Sequence, residues 1–155
     1  MARIDALCLF SDAQAVTTDV VSTNVFDCGN VTPKRQIGTG VPLAVTFQID
    51  VSADFTTGDE TYEFQVIQSA ADTMSTPTII AQQSYIASGV MISTLLVAGY
   101  IFVLPIPPGY PLQRYISAFY NTGGNTPTMT VTAWLGRQAD APIKPQTYAN
   151  AYNIG

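Results

Sequence analysis

Histidine is absent from this chain of 155 residues. That removes the one side chain whose unperturbed pKa lies near neutrality, and with it the commonest metal ligand. Catalytic triads, His–carboxylate relays and imidazole-bound zinc are excluded. Charge is scarce as well, since Asp, Glu, Lys and Arg make up 11% of the residues against about 25% in ordinary soluble domains. Six Lys and Arg face eleven Asp and Glu, for a net charge of −5. Such a balance offers no electrostatic footprint for a phosphate backbone, so nucleic acid is not an expected partner. Cysteine occurs only at Cys8 and Cys28. Each is flanked by apolar or small residues, and the expectation is a pair of reduced, core-packed thiols made in a reducing cytoplasm, with pairing across adjacent strands as the alternative.

Long apolar runs are also missing. The most apolar stretch, residues 90–104, is broken by Ser93, Thr94 and Gly99 and ends at Pro105, short of the ~20 residues a membrane span needs. No membrane partner is expected. At the start, Asp5 interrupts the apolar residues up to Phe10 and Asp12 follows them, which reads as mature sequence rather than a signal peptide.

What is present is material for one core. Hydrophobic residues make up 47%, with seven Phe, eight Tyr and one Trp, enough for a single domain of this length to fold without staples. The dominant period is two. Val45, Phe47, Ile49 and Val51 alternate with Thr46, Gln48 and Asp50; Tyr62, Phe64 and Val66 alternate with Thr61, Glu63 and Gln65; Met129, Val131, Ala133 and Leu135 alternate with threonines. These are half-buried strands, with Phe47, Ile49, Phe64, Val66, Val131 and Leu135 as expected core. Further strands are read at residues 22–27, 78–86, 100–104 and 112–120, the last two apolar on both faces and so central or covered by a partner. An eighth would follow if part of residues 88–97 pairs; one short turn of helix is the other reading there.

Gly29-Asn30 with Pro33, Gly38-Thr39-Gly40 with Pro42, Thr56-Thr57-Gly58-Asp59, Pro77, Pro105 to Pro111, and Asn121 to Asn125 supply turn chemistry between the strands. The expected architecture is all-β: an antiparallel two-sheet sandwich of jelly-roll type over residues 1–137. Residues 138–155 have two prolines and no strand period, but carry Tyr148, Tyr152 and Ile154. They read as an extended C-terminal arm that anchors on a partner.

Chemistry-bearing motifs are thin. Asp54, Asp59, Glu60 and Glu63 are the one acidic cluster, but they flank a turn, lack the alternating pattern of a calcium loop, and give a glycosidase-type carboxylate pair little support. Gly38-Thr39-Gly40 has no third glycine and no helix after it, so it is not a dinucleotide fingerprint. No Gly-x-Ser-x-Gly elbow occurs, neither cysteine has a histidine to activate it, and Asn30-Val31-Thr32 is a formal glycosylation sequon only. No catalytic residue, metal or cofactor is expected. Tyr100, Tyr110, Tyr115 and Tyr120 crowd the Pro-rich turn, as a sugar-stacking platform or a protein contact, or as hydroxyls rimming the core. Tyrosine and sparse charge both suit a partner-covered surface.

Several segments, taken in order, resemble a known family. Leu9-Phe10-Ser11-Asp12-Ala13-Gln14-Ala15, Ser22-Thr23-Asn24-Val25 with Asp27 and Gly29, and Ile37-Gly38-Thr39-Gly40 with Pro42-Leu43 are similar to the opening of tailed-phage capsid cement, or head decoration, proteins. Leu96-Val97-Ala98-Gly99-Tyr100, Pro105-Ile106-Pro107-Pro108-Gly109, Arg114-Tyr115 and Leu135-Gly136-Arg137-Gln138 continue the likeness across nearly the whole domain. The loop from Asn30 to Gln36, with Lys34 and Arg35, and the tail past Gln138 are longer than the family pattern. The resemblance implies a jelly-roll virion protein, made in the host bacterial cytoplasm, that binds the outer surface of the phage head and stabilises the lattice of the major capsid protein. It implies neither catalysis nor cofactor. A homo-oligomer, dimer or trimer, would suit the local axes of an icosahedral shell, with Tyr110, Tyr148, Tyr152 and Ile154 as interface residues. The alternative is a carbohydrate- or host-binding sandwich module of a phage fibre or adhesin.

Overall fold

The computed structural model describes residues 6–29, 41–85 and 95–142. Nine strands run in chain order: β1 (Leu9–Val16), β2 (Val20–Val21), β3 (Phe26–Asp27), β4 (Leu43–Val51), β5 (Thr61–Ser69), β6 (Thr78–Tyr85), β7 (Ile101–Pro105), β8 (Tyr115–Gly123) and β9 (Met129–Arg137). Single 3-10 turns, Ala6–Cys8 and Gln138–Asp140, flank them. The strands form two antiparallel sheets. Sheet A has the order β1-β9-β4-β7, and sheet B the order β2-β8-β5-β6 with β3 also on β8. If β2 and β3 are taken as one interrupted strand, the chain visits the sheets in the order A, B, A, B, B, A, B, A. Two interleaved Greek keys of that kind are the jelly-roll connection.

The alternation read from the sequence explains the core. Phe47, Ile49, Phe64, Val66 and Val131 are fully buried and Leu135 nearly so, because residues i and i+2 share one face of a pleated strand. Between the sheets, Phe102 stacks on Phe47 at 5.1 Å between ring centroids and meets Phe64 edge-on at 4.9 Å. Tyr85 and Tyr120 also present edge contacts to Phe64. Cys28 lies in this core and Cys8 packs half-buried against it.

Three features differ from the sequence reading. Strand β1 was not expected; it carries register irregularities between Leu9 and Ser11 and between Ser11 and Gln14, with Ala13 at φ 45°. Phe10 and Ser11 are therefore both buried, and the period of two that marks other strands is lost. Of the strand expected over residues 22–27 only Phe26–Asp27 forms (β3), with β2 lying just before the expected range, because at Asn24 the backbone N–H turns to the Phe10 carbonyl of sheet A, 2.9 Å away. Finally, β8 is central as its two apolar faces suggested, whereas among the described residues β7 pairs only with β4 and is a sheet edge. Of residues 88–97, only Leu95 onward lies among the described residues; Leu96 is buried and its carbonyl accepts from Ala53 N–H.

Candidate interaction surfaces

At one end of the sandwich the β4–β5 and β8–β9 turns interlock. Glu60 is fully buried there, and its carboxylate accepts backbone N–H bonds from Thr57 (3.0 Å) and Gly58 (2.9 Å) and a hydroxyl bond from Thr57. Asp59 reaches across to accept from the Asn125 backbone N–H and side-chain amide at 3.2 and 2.9 Å. Asp54 accepts from Thr56. Each of these bonds favours the ionised carboxylate, so all three pKa values lie below the usual range, with the threonine hydroxyls as the largest cause. The buried Tyr62 joins the two turns, donating to the Asp54 carbonyl at 2.9 Å and accepting from Thr128 N–H at 3.1 Å. Burial pushes this phenol up to about 12. Glu63 stands apart on sheet B, bonded to Ser84 and Gln65, and is also held low. The carboxylates act as turn caps, and their low pKa values run opposite to the raised pKa a general acid needs.

The tyrosines of the Pro-rich region do not form one platform. Tyr120 is fully buried, its hydroxyl 2.8 Å from Ser11 Oγ. Tyr100 stacks at 5.8 Å on Phe102. Tyr115 lies under the Arg114 guanidinium, 4.8 Å from it, and Arg114 makes a two-pronged ion pair with Asp27 at 2.9 and 3.0 Å. Tyr110 is half-buried in the β7–β8 loop, where its N–H bonds Pro107 at 3.2 Å beside Gly109 at φ 74°. The expected contact residues Tyr148, Tyr152 and Ile154 lie outside the described residues, as does the 30–36 loop with its sequon.

The surface the sequence reading passed over is the outer face of sheet A. Register places Leu9, Trp134, Thr46 and Val103 in one row across all four strands. Thr132, Gln48 and Ile101 form a second row, and Gly136, Ala44 and Pro105 a third. The indole of Trp134 reaches toward Gly136, its Cδ1 3.9 Å from where a Cβ on that residue would stand, an ordinary contact distance. Thr46, between Trp134 and Val103, is only 2% exposed despite pointing outward. On β9, β4 and β7 the one outward ionisable group is Asp50, which accepts from Thr132 Oγ1 (2.6 Å) and Gln48 Nε2 (2.9 Å). Thr132 Oγ1 in turn accepts the bulged Ala13 N–H at 3.0 Å, so the face is stitched to its edge strand. The clue in the sequence was phase: Trp134 falls among the threonines of 128–135, out of step with the buried Val131, Ala133 and Leu135.

The two antiparallel sheets, with their turn-capping carboxylates and a tryptophan on one outer face, define an all-β sandwich of jelly-roll connection. The Bbp16 family's sequence profile matches residues 10–134, from β1 to Trp134, and the chain belongs to the Bbp16 family. No curated protein matches it.

Proposed function

We propose that this protein is a structural component of a phage virion: a capsid cement, or decoration, protein that binds the outer surface of the head and stabilises the lattice of the major capsid protein. It is made in the host bacterial cytoplasm and acts as a dimer or trimer, without catalysis, cofactor, nucleic acid or membrane. The observation that carries this reading is the outer face of sheet A, where a sandwich surface that ordinarily alternates to polar residues presents Leu9, Trp134, Val103 and Ile101, with Asp50 as the one ionisable group on β9, β4 and β7 and Asp12 at the β1 edge. Taking such a face into a contact costs little charge desolvation, and tryptophan is among the residues that dominate contact energetics. Membership of the Bbp16 family fits a phage-associated protein, and the net charge of −5 suits a position away from packaged DNA.

A ligand that binds only the assembled lattice stabilises it by linkage. Heads assembled without this protein are therefore expected to form and then rupture at lower temperature or weaker osmotic shock, with the purified protein restoring the threshold. Unchanged thresholds, together with saturable binding to a glycan array, would instead favour the fibre or adhesin module.

A further inference from the structure

We propose that strand β6 pairs antiparallel with β6 of a second copy of this chain, residues 81–85 lying against the same five residues across a two-fold axis at Gln83, so that sheet B runs on through a dimer. The inference rests on the homo-oligomer of the reading above and gives it a surface.

The edges of the sandwich are not alike. On β1 the Leu9 and Phe10 carbonyls accept from the Asn24 side-chain amide (3.1 Å) and backbone N–H (2.9 Å), and the strand carries two register shifts and Asp12. Strands β2 and β3 are two residues each. Strand β7 has five residues and ends at Pro105, with Pro107 and Pro108 beyond. Features of this kind discourage a further strand. Strand β6 has eight residues with neither charge nor proline. Among the described residues it pairs only with β5, and past the bulge at Ile80 its Gln82, Gln83 and Ser84 are exposed. This edge is also held in place. Tyr85 is buried, edge-on to Phe64 at 5.8 Å and to Phe102 at 5.6 Å, and Ser84 Oγ donates to Glu63 at 2.6 Å, so a docking strand meets a pre-organised edge and little ordering entropy is lost.

The same strand, reversed, suits it as occupant. About Gln83 the sequence Ala-Gln-Gln-Ser-Tyr sets Ala81 opposite Tyr85, Gln82 opposite Ser84 and Gln83 opposite itself. Small faces large, amide faces hydroxyl, and each Gln83 amide is both donor and acceptor for the other. The nearest charge, Glu63, lies in a row with Ser84 and, across the axis, with Gln82 and Gln65 of the second copy. Three strand spacings of about 4.8 Å therefore part the two Glu63 carboxylates, more than a Debye length of about 8 Å. A two-fold axis between antiparallel strands stands perpendicular to their sheet. Sheet A of both copies then falls on one side of the joined sheet B, and the two Trp134 faces point the same way, as a bivalent contact with one surface requires.

The test uses the isolated full-length protein, whereas the rupture thresholds of heads read capsid binding, so either result can fail without the other. Wild-type protein should be a dimer by native mass spectrometry at micromolar concentration. Hydrogen exchange of the backbone amides of residues 81–85 should be slower there than at nanomolar concentration. Gln83→Lys and Gln83→Glu, which set like charges face to face on the axis, should each be monomeric with unchanged circular dichroism, and an equimolar mixture of the two should recover a dimer with one chain of each. A wild-type monomer or trimer overturns the proposal. So does a dimer that survives either charge, or monomeric variants whose mixture does not recombine, which places the axis elsewhere. Should the variants fail to fold, the wild-type exchange decides: rates over residues 81–85 that do not change with concentration overturn the pairing.

Discussion

Gly124 approaches the backbone of Asp59 so closely that a Cβ placed on it would stand 2.4 Å from the Asp59 carbonyl oxygen and 2.7 Å from Glu60 Cα. Its φ of +86° is also one that L side chains rarely adopt. Both constraints arise because the β8–β9 turn must lie against the β4–β5 turn for Asn125 to meet Asp59. Gly124→Ala is therefore expected to cost about 2–4 kcal/mol, combining left-handed strain with a backbone overlap that no rotamer relieves. For a domain of this length that is a fall in Tm of roughly 5–15 °C. Gly58→Ala, where φ is +75° but nothing lies within 4 Å, should cost only about 1–2 kcal/mol. Thermal melts of the two variants that prove equal would refute the close approach.

Acid should loosen the same end of the molecule first. The folded pKa values of Asp54, Asp59 and Glu60 lie below their ordinary values of 3.8 for Asp and 4.5 for Glu. Groups of this sign contribute stability that is fully present above the unfolded pKa and is lost as pH falls through the folded one. Tm is thus expected to be flat from pH 7 to about 5 and to drop below about 4.5. Glu60→Gln should lower Tm at neutral pH and make the acid-side drop shallower. A Tm at pH 3 equal to that at pH 7 would contradict the capping role.

Ser11 and Tyr120 form a buried hydroxyl pair 2.8 Å apart, with Ser11 also bonded to Gln14 Oε1 at 2.7 Å. Tyr120→Phe leaves Ser11 its second partner and should cost about 0.5–1.5 kcal/mol, whereas Ser11→Ala strands the buried phenol and should cost about 1–3 kcal/mol. The double variant should be less destabilised than the sum of the two. Denaturant unfolding of all four proteins measures the coupling, and strict additivity would show that the bond contributes nothing.

Legibility from sequence followed packing regularity. Phe47, Phe64 and Val131 announced their strands because one face of each strand is buried and the other is not. Phe10 and Ser11 hid theirs, since the register shift between Leu9 and Ser11 turns two successive side chains inward. The acidic cluster was visible as a cluster; that Glu60 folds into its own turn depends on Gly58 at positive φ and on an Asn125 that lies 66 residues from Asp59. The tyrosines near Pro105–Pro111 looked like a group because they are close in the chain, yet the pleat sends Tyr120 inward and leaves Tyr115 outward. Trp134 was overlooked for the converse reason. Its significance depends on Leu9, Thr46 and Val103, residues from three other strands that only the register sets beside it.

Strand β6 yields the last prediction. Among the described residues it pairs on one side only, with β5, and its sequence Thr-Ile-Ile-Ala-Gln-Gln-Ser-Tyr has no charge and no proline. Ile79 is 44% exposed. Natural edge strands usually carry a lysine, a proline or a twist-inducing bulge to discourage pairing with another chain. Here the one such device is a bulge at Ile80, which stands between Ile79 and Ala81 opposite the consecutive Ile67 and Val66 of β5; beyond it, over residues 81–85, the outer side of β6 keeps its row of backbone donors and acceptors. Ile79→Lys should therefore slow aggregation of the purified protein on heating or concentration, read by light scattering, while changing stability by no more than about 0.5 kcal/mol. Gln82→Ile should accelerate it, by lengthening the uncharged apolar edge. If the lysine variant aggregates as fast as the wild type, this edge is not the route by which the chains meet. If it unfolds instead, Ile79 is packed more firmly than its exposure indicates, and the edge is already occupied within the molecule.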